Sequence, residues 1–490
     1  MWAVLTLWRL LVAVLGSVSG GHHSARSVQT EHLYPDRTQL SPVTLLRSGL
    51  LILGPANHAP IKQGCVLFNS TILRVGECLK LPKSGLPEPT NEFEVPVAMP
   101  GFWDVHTHYG GTYCSKLNVG TNSKFPSGYA PSKYVAFACA VQMLRETLCA
   151  GVTSVREMGG LYGQELHQLA TSGLYPSPNF HYAGKFIGMT GGHTDEQYLP
   201  VTITRNDRDD MYEGVGALCD GVADCVRKTR EQLRKRADVI KVMTSGGVLS
   251  AFDSPYDQQL SVEEVSAIVQ EARRARRVVA AHAHGAPGIA SAIASGVHTI
   301  EHGSCMNESL AISAKRARMV HVPTITICQT FNKSARPPEY DPLEWAKGVA
   351  ILESNTNAVK VSIRVGLTIA TGTDCPGNCA QVAQEAVSLH SLGMSELGAI
   401  ESLTANGPLS LGALGMAPKS GRLAVGYDAD IIGLSTSPLG NLSVLTDGGR
   451  ISHIWKGGGL FKGPGRQVCD DAATNRPWEV EAFMPMPPEW

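Results

Sequence analysis

Residues that bind metal ions recur where short apolar segments of this chain end. His106 and His108 end the segment GFWDVHTH, and residues two apart on an extended strand point to the same side. Two imidazoles placed in this way can contact one metal ion. The same residue types recur where later apolar segments end, at His282, His302 and Asp374. Imidazole and carboxylate ligands together favour zinc, with manganese or cobalt as alternatives.

Lys241 lies inside the apolar segment VIKVM, with no acidic residue directly beside it. An unpaired ammonium group in a buried strand is costly, and burial lowers the pKa of lysine towards a neutral amine. A neutral amine can react with carbon dioxide to give a carbamate, which is a carboxylate-like group able to bridge two metal ions. The alternative is an ion pair between Lys241 and an acidic residue distant in sequence.

These residue types predict hydrolysis at a pair of divalent metal ions. Two cations lower the pKa of bound water, so that a bridging hydroxide forms at neutral pH and attacks a carbonyl carbon. Asp374 would take the proton of the attacking water and pass it to the leaving nitrogen. An amine leaves poorly unless it is protonated, so this proton transfer matters most for an amide.

Eight short apolar runs, separated by helical patterns, would position these residues. They lie near 102–106, 152–156, 180–184, 238–243, 278–282, 297–301, 319–324 and 367–372. Strands alternating with helices over about 300 residues are typical of an α/β fold of the (β/α)8 barrel type, with its functional groups at the carboxyl ends of the strands. The clearest helical pattern is 261–275, where Ser261 and Glu264 are spaced as a capping box.

Strand-rich segments flank the predicted barrel on both sides. We predict a barrel of residues 100–410 and a small β-sandwich domain built from residues 41–99 and 411–468. The ends of the chain are an N-terminal segment, 1–40, and a C-terminal tail, 469–490.

The composition argues against nucleic-acid binding. The 490 residues include 42 Lys and Arg and 43 Asp and Glu, which give a net charge of −1. Such a chain lacks the basic face that a phosphate backbone requires. No segment approaches 18 uninterrupted apolar residues, so stable membrane insertion is not expected. These features favour a small-molecule substrate.

The sequence leaves the compartment open. Residues 2–18 form an apolar run, and the small residues that follow it up to Gly20 resemble a secretory cleavage region. The alternative is a poorly ordered N terminus, because no basic residue precedes the run. We expect secretion if residues 1–20 act as a signal peptide and a cytoplasmic location otherwise.

The twelve Cys are scattered, and a chain of this length does not require disulfide bonds. Cys375 and Cys379 are the closest pair, and their spacing is weak evidence for zinc. Glycosylation sequons, which would matter only after export, begin at Asn69, Asn307, Asn332 and Asn441.

The segments GFWDVHTHYG, VIKVMTSGGV, AHAHG, TIEHG and TGTD together resemble the amidohydrolase superfamily, in its binuclear subtype with a carboxylated lysine. The stretch 219–303 is similar to fungal ochratoxinases and to imidazolonepropionase-like and prolidase-like amidohydrolases. The likeness extends over about residues 43–466. It implies a metal-dependent hydrolase of carbon–nitrogen bonds and, because relatives often assemble, a homo-oligomer.

The resemblance implies six metal ligands: His106, His108, Lys241, His282, His302 and Asp374. The first two histidines and the aspartate would bind one divalent ion, and the later two histidines would bind a second. The carbamate of the lysine, formed with carbon dioxide, would bridge both ions, with zinc as the expected metal. The catalytic groups would be Asp374, Lys241 and His284.

Five residues are predicted to lie near the substrate. His193, in MTGGHTDE, matches the position of a substrate-contacting histidine in such enzymes, and the alternative is a solvent-exposed loop residue. His284 would either touch the substrate or orient a metal ligand. Ser245, Gly246 and the glycine that follows could offer backbone N–H groups to a substrate carboxylate, and the alternative for the glycines is a tight turn.

The leading hypothesis is hydrolysis of an amide that joins an acyl group to an amino acid, as in ochratoxin-like N-acyl phenylalanine. A prolidase-type dipeptidase and a hydrolase of cyclic amides or lactones would use the same site. A metal-free scaffold is the non-enzymatic alternative, which missing ligands would favour, but all six positions are filled. The loops 109–130, 194–219 and 328–345 match ochratoxinases poorly, and loops of this kind shape the pocket.

Overall fold

The protein is described from a computed structural model. The described residues are 42–80, 87–109, 133–195, 197, 199–204, 216–250, 252–332, 335–336, 341–375, 379–412, 417–466 and 468–469. The predicted signal segment, nearly all of the C-terminal tail and most of the loop 109–130 lie outside these residues.

Strands and helices alternate through most of the described chain. The strands are β1 (Thr44–Leu51), β2 (Ile61–Phe68), β3 (Ile72–Glu77), β4 (Asn91–Pro100), β5 (Phe102–Thr107), β6 (Val152–Glu157), β7 (Asn179–Tyr182), β8 (Phe186–Gly188), β9 (Gly216–Leu218), β10 (Val239–Met243), β11 (Val278–Ala283), β12 (Thr299–His302), β13 (Val320–Val322), β14 (Thr368–Ile369), β15 (Ile431–Leu434), β16 (Ile451–Lys456) and β17 (Gly459–Lys462). The α-helices are α1 (Lys133–Cys149), α2 (Gly163–Ser172), α3 (Val201–Thr204), α4 (Val222–Arg234), α5 (Val262–Arg274), α6 (Ala286–Ser295), α7 (Glu308–Arg316), α8 (Ile325–Gln329), α9 (Pro342–Val365), α10 (Val382–Ser391) and α11 (Glu396–Leu403).

One seven-stranded sheet is built from both flanks of the chain. Its strand order is β17-β16-β15-β4-β1-β2-β3. Strand β15 of the C-terminal flank therefore pairs with β4 of the N-terminal flank. Leu46, Phe68 and Trp455 are buried in its apolar cluster. All of the described flank strands belong to this one sheet, so the predicted β-sandwich is not confirmed. The two flanks pair edge to edge because β4 offers a free edge to β15.

The remaining strands form two parallel sheets, so the chain has an α/β fold. One sheet has the order β5-β6-β7, and the other has the order β14-β13-β12-β11-β10-β8-β9. Within each sheet, helices connect successive strands, as parallel pairing requires. Every residue of β10 is buried, which is typical of strands covered on both faces.

Each of the eight predicted runs overlaps one of these parallel strands. The sequence did not indicate β8 and β9, because each of these three-residue strands contains a glycine and neither lies within a longer apolar run, as the short strands β13 and β14 do. Helix α5 also begins as predicted, since Ser261 and Glu264 exchange the two hydrogen bonds of a capping box.

Backbone hydrogen bonds link the two parallel sheets at two places. The Val105 N–H of β5 donates to Thr371 O, just beyond β14, over 3.0 Å. On the other side, the Asp238 N–H next to β10 donates to Tyr182 O of β7 over 2.8 Å. The predicted single closed barrel is nevertheless not seen among the described strands. Strand β14 has only two residues, so the contact with β5 falls beyond its end.

Several described cysteines are joined in disulfide bonds. The pairs are Cys65–Cys78, Cys149–Cys469, Cys219–Cys225 and Cys375–Cys379. The last pair is therefore not a zinc site. Disulfide bonds are typical of proteins in oxidising compartments. No helix within the described ranges is long and apolar enough to cross a membrane.

Candidate active site

The structure brings the six predicted metal ligands together. They lie within or shortly after parallel strands: His106 and His108 (β5), Lys241 (β10), His282 (β11), His302 (β12) and Asp374 (β14). Oδ1 of the aspartate lies 3.4 Å and 3.1 Å from Nε2 of the first and second of these histidines. The lysine Nζ lies 3.3 Å from His106 Nε2. The ring centroids of His282 and His302 are 4.6 Å apart.

Two groups of side chains within this cluster fit a metal ion. One contains His106, His302 and Asp374, and the other contains His282, His284 and His302. In each group the candidate ligand atoms lie within 4.8 Å of one another. Because His302 belongs to both groups, the two candidate positions are neighbours. The sequence did not predict His284 as a ligand, and its place in the second group makes it an additional candidate.

One ring nitrogen of each histidine in the cluster is held by a partner outside it. The pairs are His106 Nδ1–Glu301 Oε2 (2.8 Å), His108 Nδ1–Gly159 O (2.7 Å), His282 Nε2–Gly246 O (3.1 Å), His284 Nδ1–Ser304 Oγ (2.8 Å) and His302 Nδ1–Thr324 Oγ1 (2.8 Å). In a neutral imidazole, a ring nitrogen that donates to a carbonyl or carboxylate carries the proton, so the other nitrogen has the lone pair. Partners of this kind orient metal-binding histidines in known sites.

Burial keeps most of these imidazoles neutral. It lowers the pKa of His106 to about 4 and that of His284 to about 3. Burial also lowers the pKa of His282 and of His302 well below the ordinary value. Neutral imidazole is the form that binds a metal ion, so the electrostatics fit the donor set.

Lys241 is 1% exposed, and burial lowers its pKa to about 8. The neutral amine is therefore far more populated at neutral pH than it is for an exposed lysine. Across the described chain, no carboxylate lies within ion-pair distance of Lys241, so the alternative of a partner acid is not seen. These are the conditions under which a lysine can form a carbamate.

Two ligand positions have strained backbone. His302 has a φ of 66° and Asp374 has a φ of 53°, values that favour glycine. The Asp374 N–H donates to His106 O over 2.7 Å, which holds the aspartate beside β5. Strain of this kind persists where the surrounding structure fixes a functional geometry.

Sequence reasoning missed an ion pair beneath the cluster. Arg156 and Glu301 are both 0% exposed, and Arg156 Nη2 lies 2.8 Å from Glu301 Oε1. The second glutamate oxygen accepts the hydrogen bond from His106. Burial would raise the pKa of Glu301, but the charge of Arg156 lowers it below the usual range. The sequence signal that could have revealed this pair was one charged residue in each of two apolar runs, 152–156 and 297–301.

His193 lies beside the cluster, as predicted. Its ring stacks on that of His282, with centroids 4.5 Å apart, and its side chain is 18% exposed. The alternative of a solvent-exposed loop residue does not fit this position. Whether His193 contacts a substrate stays a prediction.

Two of the N–H groups predicted to bind a substrate carboxylate already have partners within the chain. The Gly246 N–H donates to Asp257 O over 3.1 Å, and the Gly247 N–H donates to Asp253 Oδ2 over 2.8 Å. The Ser245 hydroxyl donates to the Gly246 carbonyl. The two glycine N–H groups are therefore occupied in this structure, which argues against the predicted role for Gly246 and Gly247. The predicted role of the Ser245 backbone N–H stays a prediction.

Comparison with known proteins places this site in a family. The family model described as "Amidohydrolase family" matches residues 97–460. The ochratoxinase of Aspergillus niger is 35% identical over 457 residues, which are 92% of this chain and 93% of that protein. Its crystal structure aligns with a TM-score of 0.77 and 36% identity, over 87% of this chain and 97% of that one.

A second solved structure is also similar. The crystal structure of a Xaa-Pro dipeptidase with methionine bound in its active site aligns with a TM-score of 0.74 and 26% identity. The alignment covers 86% of this chain and 100% of the dipeptidase. Divalent metal ions are general in this family, and the two histidine groups fit them. The chain belongs to the amidohydrolase family and is a hydrolase that acts on carbon–nitrogen bonds.

Proposed function

We propose that the protein hydrolyses the amide bond of a small N-acyl amino acid at a pair of divalent metal ions. The observation that carries this proposal is the convergence of four histidines, Lys241 and Asp374 on one cluster. Similarity to the Aspergillus niger ochratoxinase over most of both chains supports the choice of an ochratoxin-type amide.

The metal ligands would be shared between two ions, with zinc as the expected metal. His106, His108 and Asp374 would hold one ion, and His282 and His302 would hold the other. Lys241 lies beside His106 and, as a carbamate, would supply the bridging carboxylate. When bound, two such ions polarise a carbonyl group and make water nucleophilic at neutral pH.

Side chains of the protein would transfer protons during this hydrolysis and orient the reacting groups. Burial would raise the pKa of Asp374, but nearby His106 and a hydrogen bond with His108 lower it to about 2. An ionised carboxylate can accept the proton of an attacking water and return it to the leaving nitrogen. His284, held by Ser304 and neutral, would contact the substrate or take the additional ligand position.

The wider architecture follows the same proposal. The two parallel sheets would be the two arcs of a (β/α)8 barrel over residues 100–410, because backbone hydrogen bonds link them at two places. The flank sheet would be the small domain of residues 41–99 and 411–468. Disulfide bonds favour export of the chain. We also propose that the protein forms a homo-oligomer.

A prolidase-type dipeptidase is the second candidate function, favoured by the structural similarity to the Xaa-Pro dipeptidase. Both functions cleave an amide beside a free carboxylate and would use the same metals. Opening of a cyclic amide or lactone is a third reaction for this site. A metal-free scaffold is disfavoured, because every predicted ligand position holds a side chain able to bind metal.

The decisive experiment is a hydrolysis screen with measured metal content. Ochratoxin A, other N-acyl amino acids, Xaa-Pro dipeptides and lactones are incubated with protein that carries a known amount of metal. We expect about two ions per chain and preferential cleavage of N-acyl amino acids. Preference for dipeptides would favour the second function. Full amide hydrolysis by metal-free protein would refute the mechanism.

A further inference from the structure

A lysine outside the predicted ligand set is bonded into a loop beside His193. Lys347 lies in α9, and its Nζ lies 2.9 Å from Gly247 O and 3.1 Å from Asp253 O and also donates to Ser250 O. Three carbonyl groups match the three N–H donors of an ammonium group. These residues belong to the β10 loop, defined as 247–250 and 252–253.

The lysine also forms an ion pair with the loop. Its Nζ lies 3.6 Å from Asp253 Oδ1, and the side chains of Lys347 and Asp253 are 17% and 5% exposed. Water screens such a pair little, so the loss of one partner is costly. Lys347 therefore ties α9 to a loop about 100 residues earlier in the chain.

Asp253 connects this ion pair to His193. Its carboxylate accepts hydrogen bonds from the Gly247 N–H, from Gln259 Nε2 and from the Ser250 hydroxyl. A hydroxyl has one proton, and Ser250 donates it to Asp253. In the 2.9 Å bond between His193 Nδ1 and Ser250 Oγ, the histidine is therefore the donor. Neutral His193 then carries its proton on Nδ1 and its lone pair on Nε2.

The loop also sets the position of the His193 ring by direct packing. A Cβ atom on Gly247 would lie 2.0 Å from His193 Cε1, so only glycine allows this approach. The His193 ring is also held by His282, on which it stacks. A shift of the β10 loop would therefore move His193 relative to the predicted metal ligands.

We propose that Lys347 is a positioning residue that holds the β10 loop against His193 and, through Asp253 and Ser250, fixes which nitrogen of His193 is protonated. This inference rests on the proposed function, in which His193 contacts the substrate. Lys347 itself acts only through the loop.

Amide hydrogen exchange tests the structural part without any substrate. Lys347→Met removes the ammonium group and keeps most of the side-chain length. Lys315→Met is the matched control, because Lys315 Nζ also donates to a backbone carbonyl, that of Val365, over 2.7 Å. We expect the Gly247 amide to exchange at least about tenfold faster in Lys347→Met and at the wild-type rate in the control. Equal protection at Gly247 in all three proteins would overturn the proposal.

Kinetics then test the effect on the site. With a substrate that the wild-type protein hydrolyses, Lys347→Met should raise KM and lower kcat/KM by about 10–100-fold, at unchanged metal content. Lys347→Arg should recover part of the loss because it keeps the charge. A lower melting temperature with unchanged KM would indicate a merely structural role and overturn the proposal. If the wild-type protein cleaves none of the screened substrates, the proposed function fails, and the exchange experiment still decides the role of Lys347.

Discussion

Replacing Glu301 by Gln should destabilise the protein and weaken metal binding together. Glu301 accepts hydrogen bonds from Arg156, Thr299 and His106, and both it and Arg156 are completely buried. The amide of Gln would leave the Arg156 charge without a counterion in the protein interior. Breaking a buried ion pair in this way costs about 3–5 kcal/mol of unfolding free energy. Weaker orientation of His106 should lower metal affinity by about 10–100-fold.

Urea unfolding of the metal-free protein and titration with zinc measure the two effects separately. Glu271→Gln is the matched control, because Glu271 also forms ion pairs with arginine, but its partners Arg230 and Arg274 have side chains that are 61% and 69% exposed. An ion pair with exposed partners contributes about 0–1 kcal/mol, so the control should differ little from wild type.

The same variant has a predictable pH dependence. The folded-state pKa of Glu301 lies below its ordinary value of 4.5, so its stabilising effect is complete above that pH. As the pH falls from 4.5 towards the folded-state pKa, the wild-type protein loses this contribution, and the gap to Glu301→Gln narrows. If Glu301→Gln lowers the unfolding free energy by less than about 1 kcal/mol at neutral pH and leaves zinc affinity unchanged, the assigned role of Glu301 is refuted.

Three further predictions test the site, a disulfide bond and the flank sheet. Lys241→Ala should abolish most hydrolysis, with partial rescue by an added short carboxylic acid, and unchanged activity would exclude a bridging role. Replacing Cys149 and Cys469 by Ser should lower the unfolding free energy by roughly 2–4 kcal/mol at unchanged metal content, and equal stability in urea would contradict this. Trp455→Ala should cost about 3–5 kcal/mol in the same assay, because its side chain is 0% exposed, and a cost below about 1 kcal/mol would count against a packed cluster there.

Much of the fold and the candidate ligand set could be predicted locally. Apolar runs of five or six residues identified the parallel strands, and each ligand lies at or near the end of such a run, as His106 and Asp374 do. The helix cap at Ser261 could be predicted from the sequence because both residues of the capping box lie within one helical turn. The strands β8 and β9 were not predicted, because each contains a glycine and neither lies within a longer apolar run.

The availability of polar groups could not be predicted in the same way. Gly246 and Gly247 have the composition of an anion-binding turn, yet their N–H groups are used by Asp257 O and the Asp253 carboxylate. The sequence identifies which groups can donate a hydrogen bond, but only the folded loop shows which acceptors they bond to. The pairing of the flanks in one sheet was likewise decided by the free edge of β4.

By itself, the sequence determined the kinds of ligand, their order along the chain and the strands that carry them, because these depend on residue type and short-range periodicity. Tertiary structure alone decided which buried groups support them. Arg156 meets Glu301 across 145 positions of sequence, and Lys347 reaches the β10 loop across about 100. Contacts at such separations depend on how strands and helices pack, and no local pattern of residues encodes that packing.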